Sequence, residues 1–133
     1  MHKPLAISMG EPAGIGPDLI LSAYAKRTEW DLPPFCVFAH GGFMQARASR
    51  LDINVPLIVT TPDEAAAAFD DGLPIVDIEG LVPDHPGTIS PLSGHVVIAA
   101  IEGAVGAILR GSCRGLVTAP IQKAALYTAG FRH

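Results

Sequence analysis

The 133-residue sequence predicts an α/β fold, a mostly parallel sheet with flanking helices, on three observations. Short apolar runs alternate with helix-compatible stretches along the chain, the signature of strand–crossover–strand units. Apolar residues make up 49% of the chain and charged residues 17%, which suits a well-buried α/β core and argues against disorder. A dense glycine–proline loop separates the first strand-like run from the first helical one, where open α/β sheets receive their ligands.

The elements follow in order. Pro4-Leu5-Ala6-Ile7-Ser8-Met9 is short, apolar and strand-like. From Gly10 to Pro17 stand three glycines and two prolines, which neither helix nor strand interior tolerates. Asp18 to Ala25 is helix-compatible. Pro33-Pro34 punctuates, and Phe35 to Ala39 reads as a second, buried strand. Gly41-Gly42 opens a helical stretch from Phe43 to about Leu51, and Pro56 to Thr60 is a third strand. Thr61-Pro62-Asp63-Glu64 has the chemistry of a helix start, with Thr61 as N-cap and Pro62 at the first helical position. The alanines carry that helix towards Asp70, and Pro74 to Ile78 is the fourth strand.

Residues 79–92 hold three prolines and two glycines and predict an irregular connection. Ser93 to about Arg110 is the longest helical pattern, with Val97, Ile98, Ile101, Val105, Ile108 and Leu109 recurring at helical spacing. The alanines and glycines between them predict close packing against a sheet or helix. Gly115 to Thr118 is a last strand, and a final helix is expected from Ala119-Pro120 to Tyr127, stopped near Gly130.

The net charge of −4 provides no global basic field, so general attraction to nucleic acid or anionic membrane is not expected. No uninterrupted apolar stretch is long enough to span a bilayer, and the chain reads as soluble and cytoplasmic. Cys36 and Cys113 show no metal-ligand or redox spacing, and Cys36 reads as a buried reduced thiol. His40, His85 and His95 form no metal constellation, and no nucleophile–histidine arrangement is visible.

Two segments carry chemistry. The first is the loop Gly10-Glu11-Pro12-Ala13-Gly14-Ile15-Gly16-Pro17-Asp18. It is no phosphate-binding P-loop, since Gly-Pro stands where Gly-Lys-Ser/Thr is required, and Leu19 takes the third glycine of a dinucleotide fingerprint. Pro17 removes a backbone donor and Glu11 and Asp18 bring negative charge, which disfavours a pyrophosphate at this helix start. Ribose hydroxyls, an ammonium group or a metal-bound water fit better as neighbours, and a plain strand-to-helix turn is the alternative.

The second segment is Val117-Thr118-Ala119-Pro120-Ile121-Gln122-Lys123, again strand, small residues, proline and helix start. The Thr118 hydroxyl, helix N–H groups and the Lys123 ammonium would together cradle a phosphate or carboxylate. A solvated surface lysine is the alternative there.

These two segments, in this order and with Pro86-Gly87 and Ser93-Gly94 between them, closely resemble the 4-hydroxythreonine-4-phosphate dehydrogenase family, the NAD-dependent enzymes of pyridoxal phosphate biosynthesis. The resemblance runs from the first strand to the last residue. More distantly, Gly14-Ile15-Gly16-Pro17-Asp18 is similar to the corresponding turn of isocitrate and isopropylmalate dehydrogenases, whose fold that family shares.

The resemblance implies NAD-dependent oxidation of the secondary alcohol of a phosphorylated hydroxy amino acid, followed by loss of carbon dioxide. It also implies a divalent metal cation (Zn, Mg or Co) held by family histidines, and a homodimer with a shared site. Thr118 and Lys123 would then lie beside the substrate or its phosphate, and Glu11, Gly14 and Gly16 would line the substrate and nicotinamide cleft, with Asp18 at the helix start. Family members are more than twice as long, and their Gly-His-Thr-Glu motif and metal histidines fall beyond residue 133. His133 lacks the flanking residues of that motif. The expectation is therefore an N-terminal α/β portion of a longer two-domain dehydrogenase, incomplete and inactive by itself. A dehydrogenase for a four-carbon sugar acid phosphate, threonate or erythronate 4-phosphate, and a non-catalytic anion-binding module are the rival expectations.

Overall fold

Alternation of strand and helix along the chain builds one five-stranded parallel sheet. The computed structural model describes residues 3–118 apart from 81, 83, 89, 91 and 92. The elements are β1 (Leu5–Ser8), α1 (Gly16–Ala25), β2 (Phe35–Ala39), α2 (Gly41–Arg50), β3 (Leu57–Val59), α3 (Ala65–Ala68), β4 (Leu73–Asp77), α4 (Ser93–Leu109) and β5 (Leu116–Thr118). The strand order is β3-β4-β2-β1-β5 and every neighbouring pair is parallel. The expected sheet is therefore present. The helix expected after residue 118, and Lys123 within it, lie outside the described residues.

β2 sits at the centre and is buried along its whole length, which is why its sequence is an unbroken apolar run. Its side chains divide by alternation. Phe35, Val37 and Ala39 join a core with Ile20, Leu21 and Tyr24 of α1 and Phe43, Met44 and Ala48 of α2. Cys36 and Phe38 face Ala65 of α3 and Ala100, Ala104 and Ala107 of α4. One core is thus built of large side chains and the other of small ones.

The second core bears out the close packing that the alanines and glycines of α4 predict. Of the periodic large aliphatics, Val105 is 39% exposed and Leu109 82% exposed, and Ile98, Ile101 and Ile108 are only half-buried. Val97 alone of that set is buried, together with Val96, Ala100, Ala104 and Ala107. The reason is distance. α4 packs close to the sheet, where a Cβ on Gly103 would stand 3.1 Å from the Phe38 ring, so small residues occupy the contact.

Two helix starts also differ. α3 begins only at Ala65, with no side-chain cap from Glu64. Thr61 and Pro62 form a turn instead, their carbonyls accepting from the Glu64 and Ala65 N–H groups at 3.1 and 3.4 Å. Such i→i+3 bonds close a tight turn before the α ladder can start. α2 begins two residues earlier than expected, because His40 caps it: its Nδ1 accepts from the Phe43 N–H at 3.0 Å. The Asp77 carboxylate accepts from the Gly41 N–H at 2.8 Å and satisfies another orphan donor of the same helix. His40 is thus a structural cap.

Candidate functional site

The carboxyl ends of three strands lie side by side, with Ser8 of β1 in register with Phe38 of β2 and Thr118 of β5. The chain from Met9 to Ile15 leaves β1 at this edge. Gly10 adopts φ 77°, a left-handed conformation that favours glycine and turns the chain out of the strand. A tight turn follows, in which the Gly14 N–H donates to the Glu11 carbonyl at 3.0 Å. α1 then starts at Gly16, with Pro17 in its first turn and no side-chain cap.

Glu11 is 3% exposed. Its Oε1 accepts from the Ala13 N–H at 3.1 Å, while Oε2 has no partner among the described residues. The Ser8 hydroxyl, also buried, is equally unpartnered. Buried polar atoms are ordinarily satisfied, and each exception asks for a donor. A carboxylate oxygen only accepts, so a partner for Oε2 has to be a donor: a hydroxyl, an amide, a water or a cation.

The loop is held from behind by a residue that sequence reasoning passed over. Arg47 of α2 is 1% exposed. Its Nη1 donates to Asp18 Oδ1 at 2.6 Å and to the Gly14 carbonyl at 3.2 Å, its Nη2 to the Pro12 carbonyl, and its Nε to Asp84 Oδ1 at 2.7 Å. The guanidinium also lies 4.9 Å from the centre of the Phe43 ring. Arg50 donates to the other Asp84 oxygen at 2.8 Å, and the Gly87 N–H donates to the Ala13 carbonyl at 2.7 Å. Loop 10–18 and connection 79–92 are therefore tied to each other and to α2.

Burial by itself raises the Asp84 carboxyl pKa, but hydrogen bonds from Arg50 and Arg47 and their charges outweigh it and hold it below the usual carboxylate range. Burial likewise works against the Arg47 charge, and the bonds to Asp84 and Asp18 more than restore it. A signal for Arg47 did exist in the sequence. It falls four residues after Phe43 and three after Met44, on the apolar face of an amphipathic helix, where a charge must have buried partners.

The predicted residues separate as follows. Gly14 and Gly16 shape the loop, and neither needs a left-handed backbone. Asp18 stands in the first turn of α1, as expected, but it is committed to Arg47. Thr118, far from the loop in sequence, is brought beside it through the β1–β5 pairing, and its residue is exposed. Lys123 is outside the described residues. Among the described residues no group of three His, Cys, Asp or Glu side chains gathers to hold a metal ion.

Between α1 and the β1–β5 pair lies an apolar groove of roughly 380 Å³, walled by Leu5, Ile7, Leu19, Ile20 and Val117. Gly16 and Thr118 also line it. It is an incompletely covered sheet face and not a site for an ion.

A family profile for the pyridoxal phosphate biosynthetic protein PdxA matches residues 31–133. The chain belongs to the PdxA family. The 4-hydroxythreonine-4-phosphate dehydrogenase of Xanthobacter autotrophicus is 39% identical to it over 128 residues, covering 96% of this chain and 37% of that protein. The same-named protein of Caulobacter vibrioides is 42% identical over 130 residues, covering 98% and 38%. The crystal structure of 4-hydroxythreonine-4-phosphate dehydrogenase from Klebsiella pneumoniae superposes with a TM-score of 0.84 at 25% identity, over 98% of this chain and 41% of that one. The chain thus spans about two fifths of the length of its PdxA relatives.

Proposed function

We propose that this chain forms the N-terminal α/β portion of a 4-hydroxythreonine-4-phosphate dehydrogenase, acting in pyridoxal 5'-phosphate biosynthesis. The reading rests on one observation: PdxA relatives of that name match nearly every residue of the chain at 34–42% identity. The reaction is oxidation of the secondary alcohol of 4-phosphooxy-threonine, after which the β-keto acid loses carbon dioxide. NAD, when bound, supplies the acceptor for the hydride that leaves the alcohol carbon.

The residues of this chain bind and orient. Glu11 offers Oε2 to a hydroxyl or amide hydrogen of the cofactor, and Gly14 and Gly16 bring the backbone close to it. Thr118 lies across the β1–β5 pair from that loop and, with Lys123, would hold the substrate phosphate. The implied divalent metal finds no ligand set among the described residues. As a whole protein the enzyme is proposed to be cytoplasmic and homodimeric. No described helix is long and apolar enough to cross a membrane.

The test is turnover by the full-length protein with NAD. The highest kcat/KM is expected on 4-phosphooxy-threonine. Preference for erythronate or threonate 4-phosphate would overturn the substrate, and binding of these phosphates without turnover of any would favour a non-catalytic module.

A further inference from the structure

The contacts of Arg47 reach beyond stabilising a loop. Its Nη2 donates to the Pro12 carbonyl, and the N–H of Ala13 donates to Glu11 Oε1. These two groups belong to one planar peptide unit, so fixing the carbonyl fixes the direction of the N–H. A cation on the carbonyl also polarises that unit and strengthens its N–H as a donor. The next carbonyl, of Ala13, is held by Gly87, and the one after, of Gly14, again by Arg47. Three successive carbonyls are thereby turned towards α2 and the 79–92 connection. The Glu11 carboxylate, anchored through Oε1, is left with Oε2 in a set orientation and no partner among the described residues.

We propose that Arg47 is a positioning residue that aims the Glu11 carboxylate through the Pro12–Ala13 peptide. This rests on the proposed role of Glu11 in the nicotinamide cleft. Arg47 need not touch the cofactor. Lysine could not replace it, because a single ammonium lacks the planar fork that reaches Asp84, Asp18 and two carbonyls together.

A double-mutant cycle in the full-length protein tests this, with Arg47→Met, Glu11→Gln and the double variant, and Arg47→Lys as a milder change that keeps a positive charge. KM for NAD, kcat, and KM for the phosphorylated substrate are measured, together with amide hydrogen exchange of the peptide covering residues 10–18. Arg47→Met is expected to raise KM for NAD about tenfold, with KM for the phosphorylated substrate nearly unchanged, and to deprotect the loop. The double variant should be little worse than Glu11→Gln alone. If Arg47→Met does not fold, Arg47→Lys should show the same selective rise in KM for NAD, smaller in size.

Additive effects on KM for NAD would overturn the proposal, as would unchanged loop protection in a folded Arg47 variant. So would parallel losses in kcat and both KM values. If the loop is deprotected but neither Arg47→Met nor Glu11→Gln moves KM for NAD, the cofactor role of Glu11 fails while positioning by Arg47 stands. If Glu11→Gln moves it and neither Arg47 variant does, the positioning fails and the cofactor role stands.

Discussion

One guanidinium holds two carboxylates and two carbonyls, and the carboxylate Asp84 is shared with Arg50. Removing one partner from such a buried set is costly because the others remain desolvated. Asp84, shared by Arg47 and Arg50, carries the pH dependence. Its pKa in the folded chain is held below the unfolded value. Its contribution is therefore complete above the unfolded carboxylate pKa of about 3.9 and is lost as pH falls through the folded value. Asp84→Asn should lower stability by about 1–3 kcal/mol at neutral pH. Urea denaturation between pH 7 and 2.5 should show the two proteins converging in acid; a constant gap would contradict the assignment. From the sequence Asp84 was one residue in a proline-rich connection. Its importance comes from partners 34 and 37 positions away.

Among the elements, α4 separates what periodicity can and cannot say. Helical spacing of apolar residues located it from Ser93 to its last turn, because any face of a helix repeats every 3.6 residues. It did not say which face meets the sheet. Shape complementarity chose the alanine side, next to Cys36 and Phe38. In the 133-residue chain, Ala104→Leu should thus cost about 1–3 kcal/mol through overpacking. Leu109→Ser, although it removes a large apolar side chain, should stay within about 0.5 kcal/mol. Thermal unfolding of the two variants decides: the reverse order would mean that the large aliphatics are the packed face. α2 teaches a related lesson. Its pair of glycines announced a start, but the caps come from the end of β2 and, 36 residues on, from Asp77.

For the whole molecule the strand order matters most. β4 lies between β3 and β2, and the chain then passes through α4 to add β5 on the far side of β1. That crossover brings Thr118 beside Ser8. It also sets Cys113 3.8 Å from Cys36, the two sulfurs 77 positions apart in sequence. Burial, and for Cys36 the neighbouring Cys113, pushes both thiols above their ordinary pKa, so they are packed, unreactive groups. The same crossover leaves all three residues of β5 exposed and opens the groove beside α1. The 133-residue chain should bind the dye anilinonaphthalenesulfonate there. Leu19→Lys, at a residue 56% exposed, should weaken that binding without lowering the unfolding midpoint. Unaltered dye binding would place the apolar surface elsewhere.

The sequence alone determined the α/β class, the order of the elements and the glycine–proline loop at the end of β1. These depend on local properties: apolar runs, period, and the backbone limits of glycine and proline. The tertiary structure decided the buried face of α4, the capping of α2, the burial of Arg47 and its partnership with Asp18, Asp84 and the loop carbonyls. Each of those depends on groups distant along the chain meeting where water is excluded. The place of Arg47 on the apolar face of α2 calls for buried partners, but local sequence does not name them. Only the packed sheet and helices remove the water, and with it the freedom of the loop to point Glu11 elsewhere.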